Sequence, residues 1–334
     1  MKAIVLRELG GPEKLRLEEV PDPIPGPNDV IVRLKAAALN RRDVWIRIGR
    51  YAGIKLPIIV GSDGAGEVAA VGSSVDRSWI GKPVIIYPAF EWGEDPRAQS
   101  TNFRILGLPD DGTYAQLVRV PVANVVPKPD ALSFEEAAAL PVAALTAYRA
   151  VVTRGQIKAG ETVLVTGIGG GVATFVLQLA RKAGTTVYVT SGSDDKIRKA
   201  KEMGAVDGVN YRSQDWVKEV KERVGGIDVV VDGAGGETFD KSLDVLKPGG
   251  RVILYGATLG PVKELQVRRI FWKQLNVFGT TMGTLEDFHG MLREYGDGTL
   301  RPVIDSVFGL EEASEAHRRM EAADQFGKII LRIG

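Results

Sequence analysis

The sequence predicts an α/β protein in which a doubly wound parallel sheet is inserted into a discontinuous β-rich domain. Three observations carry this. The first 125 residues hold β-type runs separated by proline and glycine. From Val163 to Phe278, strand-like and helix-like segments alternate, the pattern of successive βαβ units. The chain then returns to mixed character and ends in another β-type run, Lys328 to Ile333. The expected division is 1–125 with 265–334 for the β-rich domain and 126–264 for the inserted one, whose sheet can extend to about 283.

The β-rich part reads as antiparallel and barrel-like. Its strands are Ala3–Leu6, Asp29–Leu34, Gly66–Gly72 and Pro83–Ile86. Pro21, Pro23, Pro25, Gly26 and Pro27 mark an irregular connection. Glu91 to Asp111 is polar and weakly periodic, a surface lobe. Ser133-Phe134-Glu135-Glu136 is a capping box that opens a helix. Pro141 interrupts it, and Ala143 to Val152 resumes a helical pattern. Strands then follow at Val163–Thr166, Thr186–Thr190, Gly208–Asn210, Asp228–Val231, Arg251–Tyr255 and Leu275–Phe278, with helices near 172–183, 194–203, 213–224 and 238–246.

Composition sets the bounds. The 334 residues are 44% hydrophobic and 25% charged, with a net charge of +1. This gives no support for a nucleic-acid partner or an anionic membrane surface. There is no cysteine and there are two histidines. Disulfides, thiol catalysis, cysteine zinc sites and His-rich metal sites are therefore excluded. The uncharged stretch Thr162 to Ala180 approaches membrane-span length, but glycines at 167 and 169–171 break it into strand, turn and helix. The expected location is cytoplasmic, with no membrane partner.

The sharpest motif is that glycine turn. Val163-Leu164-Val165-Thr166 runs into Gly167-Ile168-Gly169-Gly170-Gly171-Val172-Ala173, and a helix follows. Glycines allow a tight turn and close approach of backbone to a pyrophosphate. The helix N-terminus offers free N–H groups to the anion. The spacing departs from G-x-G-x-x-G and fits G-x-x-G-x-x-A through Gly167, Gly170 and Ala173. In this βαβ context it is a Rossmann dinucleotide site.

The second strand bears on which dinucleotide. It ends Val189-Thr190-Ser191-Gly192-Ser193, without the acid that holds the ribose hydroxyls of NAD. Lys196 lies on the next helix, and Tyr211 and Arg212 follow the adjacent strand. Together these can surround a 2′-phosphate, favouring NADP(H) by about 10²–10⁴ if two charge-assisted bonds form. Asp194 and Asp195 oppose this unless they serve only the helix N-terminus. Gly233-Ala234 and Gly256-Ala257 end the fourth and fifth strands, where such sheets line their ligand crevice. A plain strand-to-helix turn explains either pair equally simply.

An ordered set of motifs resembles the medium-chain dehydrogenase/reductase superfamily, in its zinc-free quinone-oxidoreductase-like branch. The set runs through Met1-Lys2-Ala3, Gly10-Gly11-Pro12, Leu39-Asn40-Arg41-Arg42-Asp43, Gly61-Ser62-Asp63-Gly64-Ala65-Gly66-Glu67-Val68, Asp111-Gly112-Thr113-Tyr114-Ala115, Leu140-Pro141 to Thr146-Ala147-Tyr148, the Gly167 turn and Gly327-Lys328-Ile329-Ile330-Leu331. The resemblance implies a GroES-like catalytic domain around the Rossmann insertion. Where the superfamily's alcohol dehydrogenases hold catalytic zinc, this chain has Asn40, Ser62 and Val142. The resemblance therefore implies no metal and an NADPH-dependent reduction of a small-molecule acceptor, a quinone or an α,β-unsaturated carbonyl. It places Asn40, Asp43, Tyr51, Ser62 and Thr146 around the nicotinamide. The basic run of Arg268, Arg269 and Lys273 reads as a solvated face, although the resemblance implies that some of it can reach cofactor phosphate, and it implies a homodimer paired near 275–283. Lys328, at the start of the last strand, can contact phosphate in the cleft.

Each residue has a plainer role open to it. Asn40 can satisfy loop backbone, Asp43 can pair with Arg41 or Arg42, Tyr51 can pack its loop, and Thr146 can bond back into its helix. His289 and His317 read as surface residues. A binding protein with little turnover and a zinc alcohol dehydrogenase are the competing classes.

Overall fold

The computed structural model describes residues 1–212 and 215–334. The chain forms two compact units, Met1–Ala143 with Thr284–Gly334, and Ala144–Gly283. The boundaries fall later than 125 and 264 for reasons of strand pairing. Val125–Pro127 still pairs with Pro83–Ile86 in the first unit. Asn276–Gly279 still adds a strand to the second unit's sheet.

The first unit is built on the strand Asp29–Ala38, whose valine, leucine and alanine side chains are almost all buried. It pairs antiparallel with Asp63–Val71, Leu117–Pro121 and Lys328–Arg332. Gly66 meets it at a shift in register, where a Cβ would stand 2.1 Å from the Arg33 carbonyl oxygen. Only glycine fits there. The antiparallel expectation fails at one pair. Ile304–Gly309 and Lys328–Arg332 run parallel, joined by the helix Ala313–Ala322. A parallel pair needs such a crossover. Helix Phe134–Ala138 opens on the expected capping box, with Ser133 and Glu136 bonded reciprocally.

The second unit is a six-stranded parallel sheet. Its order is Asp207–Asn210, Thr186–Ser191, Thr162–Val165, Ile227–Asp232, Leu246–Leu254 and Asn276–Gly279. The inner strands are buried on both faces, as a parallel sheet between helices requires, whereas the edge strand Asn276–Gly279 is largely exposed. Helices run over Gly171–Lys182, Asp194–Glu202, Trp216–Val224 and Gly236–Val245. The start of the helix expected from 213 lies outside the described residues at 213 and 214. Among the described residues, no helix is long and apolar enough to cross a membrane.

Two residues of the basic run, which reads as a solvated face with part of it able to reach phosphate, are instead taken up by this packing. Arg269 bonds the carboxylates of Asp240 and Asp244. Lys273 donates to the carbonyls of Leu243, Asp244 and Leu246 at 3.0–3.1 Å, closing the end of helix Gly236–Val245.

His289 is exposed, as read, but His317 is fully buried, against the surface reading. It shares a helix face with Ala313, Ala316 and Met320, all buried. Arg47 Nε donates to its Nδ1 at 3.4 Å, and its ring meets Tyr114 edge-on at 6.0 Å. Burial and the Arg47 charge hold its pKa down to about 3. The unfolded chain therefore binds a proton here that the folded chain refuses. Stability is lost as pH falls from about 6.5 toward 3. His317→Gln should flatten this loss, read as unfolding midpoints at pH 7, 5.5 and 4. An unchanged slope would contradict the assignment.

Candidate active site

In the first unit the site residues gather at the start of helix Arg41–Arg47. Asn40 is its N-cap, with extended backbone, and the Asp43 carboxylate accepts from the Asn40 N–H at 2.8 Å. The Tyr114 hydroxyl donates to the same Asp43 oxygen at 3.0 Å. Asp43 therefore makes no hydrogen-bonded pair with Arg41 or Arg42; it caps the start of the helix and receives Tyr114. Burial pushes its pKa up to about 6, against the nearby Arg42 charge and these two donors. Burial also raises Tyr114 well above its ordinary value, assisted by Asp43.

A second cluster lies beside it. The Lys328 ammonium is 3% exposed and donates to Asp63 Oδ2, Asn40 Oδ1 and the Leu39 carbonyl at 2.8–2.9 Å. The other Asp63 oxygen accepts from the Val142 N–H at 2.8 Å. Burial raises the Asp63 carboxyl, and Lys328 opposes it. Lys328 thus corrects the sequence reading. All three of its protons are taken inside the first unit, and none is left for a cofactor phosphate. Asn40 has its amide oxygen fixed by Lys328, while its Nδ2 is buried and without a partner.

The third cluster was missed. Arg42 Nη1 donates to Ser62 Oγ and to the Leu106 carbonyl, and Ser62 Oγ donates to the same carbonyl. The Tyr51 ring lies 5.1 Å from the guanidinium carbon. The structure so brings Asn40, Asp43, Tyr51 and Ser62 together in one unit. Thr146 is buried in the helix Pro141–Tyr148 and belongs to the second unit. Among the described residues, no group of three or more His, Cys, Asp or Glu is placed to hold a metal ion.

In the second unit the glycine turn leaves strand Thr162–Val165 and enters helix Gly171–Lys182. Gly167 and Gly169 have φ of 64° and 109°, and a Cβ on Gly167 would point into open space. Gly170 is the N-cap and supplies no side chain, so the first-turn N–H groups of Gly171, Val172 and Ala173 have no capping oxygen. The backbone is shaped for a pyrophosphate. Thr190 fixes the turn by accepting from the Gly167 and Ile168 N–H groups. Ser191 Oγ lies 3.5 Å from the Ile168 carbonyl.

The residues expected at a 2′-phosphate also gather. A Cβ on Gly192 would stand 2.9 Å from both Arg212 Nε and Tyr211 Oη, so both side chains lean over this glycine. Lys196 is half-buried in the first turn of Asp194–Glu202. Asp194 is held by Asn210 Nδ2 at 2.9 Å, and Asp195 is exposed beside Arg198.

The strand-end glycines are explained chiefly by packing. A Cβ on Gly233 would strike the Tyr255 ring at 2.4 Å, and one on Gly256 would come within 2.8 Å of the Gly233 carbonyl. The Ala234 and Gly235 N–H groups donate to Asp232, which also receives Thr166 Oγ1. Gly235 in turn packs on Ala257. An acid ending a strand before a glycine pair was the available signal for this turn.

Comparison with known proteins agrees with both units. Residues 26–130 match the family described as the alcohol dehydrogenase GroES-like domain, and residues 171–296 the one described as zinc-binding dehydrogenase. A zinc-type alcohol dehydrogenase-like protein of Leptosphaeria maculans is 37% identical, over 96% of this chain and 94% of its own. The quinone oxidoreductase of Homo sapiens is 32% identical, over 99% and 97%. A solved structure named NAD-dependent alcohol dehydrogenase is 42% identical, with a TM-score of 0.95 and all of both chains covered. The chain belongs to the medium-chain dehydrogenase/reductase superfamily. It is an oxidoreductase of a family that binds nicotinamide cofactors.

The Lys328 cluster yields a stability prediction. Lys328→Met would strand a buried carboxylate, so it should cost ~3–5 kcal/mol in denaturant unfolding. Lys328→Met combined with Asp63→Asn should recover part of that. A loss below ~1 kcal/mol for the single variant would show that the buried pair is not formed.

Proposed function

We propose that the protein is a zinc-independent, NADPH-dependent reductase that delivers hydride to a quinone or an α,β-unsaturated carbonyl. The observation that carries the reading is the fate of the three positions where zinc-dependent relatives would need ligands. The Asn40 amide oxygen is committed to the Lys328 ammonium. The Ser62 hydroxyl is committed to Arg42 and the Leu106 carbonyl. Val142 has no side-chain atom that could ligate a metal, and its N–H is given to Asp63. Two cations already face the only side-chain oxygens a metal would use. This donor set does not fit zinc, and no step is routed through one.

A conjugated acceptor suits such a site. It accepts hydride without a Lewis acid, provided the resulting anion is stabilised by donors. Asn40 Nδ2 is a buried donor that makes no close hydrogen bond among the described residues, although the amide lies near enough to Asp63 to help lower that carboxyl, and Lys328 fixes the orientation of the amide. Proton delivery is from water. The likeness to quinone oxidoreductase supports this acceptor class.

The residues fit NADP(H). The cofactor supplies hydride; this chain's part is to bind and orient it. The first-turn N–H groups of Gly171–Ala173 would take the pyrophosphate. Ser191, Gly192, Lys196, Tyr211 and Arg212 would surround the 2′-phosphate, with Asp194 turned onto Asn210. Gly233, Ala234, Gly256 and Ala257 would border the nicotinamide ribose.

A homodimer is part of the proposal. Asn276–Gly279 is the edge strand of the second unit's sheet, and Val277, Phe271 and Trp272 near it are 42%, 66% and 73% exposed. Such an edge invites pairing. Trp272→Glu should shift the protein toward monomer in sedimentation velocity; a monomeric wild type would end this part.

The decisive test is the initial rate of NADPH and NADH oxidation with quinone and enone acceptors. Acceptor-dependent oxidation should favour NADPH at least ~10-fold, and Arg212→Ala should weaken NADPH by ~10–100-fold while sparing NADH. Faster turnover with NADH would overturn the coenzyme assignment. Saturable NADPH binding without reduction of any acceptor would overturn the reductase.

A further inference from the structure

Arg42 stands apart from the other buried cations of the first unit. Arg47 is fully buried and paired with Glu321 at 2.6 Å. Lys328 is paired with Asp63. Arg42 is 9% exposed, yet among the described residues it makes no ion pair. Both of its hydrogen bonds leave from Nη1 and end on neutral oxygens, Ser62 Oγ and the Leu106 carbonyl. Its Nε is buried without a partner. The adjacent Asp43, whose carboxyl the Arg42 charge holds down, is its nearest counter-charge but not a hydrogen-bond partner: Oδ2 receives Asn40 and Tyr114, and Oδ1 is buried without a hydrogen bond.

A largely desolvated guanidinium without a hydrogen-bonded counter-ion is costly. The cost is recovered when an anion arrives, because the same low dielectric strengthens the attraction. The side of the fork formed by Nε and Nη2 has no protein acceptor, and it is planar and suited to one or two oxygens. The Tyr51 ring 5.1 Å from the guanidinium carbon limits the approach on one face. Ser62 and Leu106 anchor the other Nη, so the fork is held rather than free to swing.

We propose that Arg42 is an oxyanion-binding residue: its Nε–Nη2 edge receives the acceptor oxygen that becomes negative on reduction. This rests on the reductase reading for its chemistry. Hydride addition places two electrons and one hydrogen on the electrophilic position of the conjugated acceptor, and the reduced nicotinamide is oxidised. The carbonyl π pair moves onto oxygen, giving an enolate or hydroquinone anion at Arg42. A proton from water then completes the product. The acceptor class this selects has a carbonyl oxygen conjugated to the hydride-accepting carbon, so the charge reaches a fixed point.

The test does not depend on turnover. p-Nitrophenol is a phenolate probe whose absorbance reports its ionisation. Titrated with the full-length protein, it should bind as phenolate and ionise at lower pH than in buffer. Arg42→Met should weaken phenolate binding by roughly 10–100-fold and abolish the shift. Arg42→Lys keeps the charge but not the fork, so it should lie between; it also serves if the Met variant fails to fold. With NADPH, Arg42→Met should lower kcat by ~10²–10³ while the Kd for NADPH is unchanged. Wild-type probe binding in both variants would overturn the proposal. So would a lowered KM effect alone with kcat intact. If the wild type binds phenolate through Arg42 yet reduces no acceptor, the anion site stands and the reductase reading falls.

Discussion

The first unit depends on the burial of one ammonium. Lys328 lies 265 residues beyond Asp63 and 288 beyond Asn40. The whole of the second unit is inserted in that interval. Apolar pairing along Lys328–Arg332 brings the last strand beside Asp29–Ala38, but a strand slipped by one residue would present its other face. The lysine removes that freedom. Out of register, a charge would be buried with no carboxylate, and Asp63 would be left unpaired. Two desolvated charges are costly to assemble, so the pair contributes more to specificity of register than to net stability. The same contact fixes the Asn40 amide and satisfies Asp63.

A consistent electrostatic arrangement follows. Three cations, Arg42, Arg47 and Lys328, are buried in one unit, and two are neutralised by the protein. The carboxylates nearby are pushed upward by burial, as Asp43 is to about 6. Metal-dependent chemistry would concentrate positive charge at a point. Here it is distributed over fixed side chains whose acceptors are mostly assigned. Left without a hydrogen bond among the described residues of the cluster are two donors, Asn40 Nδ2 and Arg42 Nε, and one acceptor, Asp43 Oδ1.

Much of the second unit was legible in the sequence because its signals are local. Strand and helix periods alternate, the glycine turn falls between them, and absence of an acid after Val189 is visible by inspection. Ser133 and Glu136 announced their helix for the same reason. The first unit yielded less. Lys328 read as a phosphate contact because nothing near it in sequence shows Asp63. Arg42 read as a partner for Asp43, although the helix start instead gives Asp43 to the Asn40 N–H. His317 was legible in principle. The spacing of Ala313, Ala316 and Met320 places it on the apolar face, but a histidine among charged neighbours suggested the surface. The unit boundaries shifted because pairing of short strands, not composition, decides where a unit ends.

The central claim is that protein cations stand where related enzymes would use zinc. The most direct measurement is elemental metal content of the purified protein, before and after equilibration with excess zinc, followed by rate with and without chelator. The account predicts far less than one zinc per chain in both states and a rate unaffected by chelation. One tightly held zinc per chain, with activity lost on its removal and restored on its return, would contradict it.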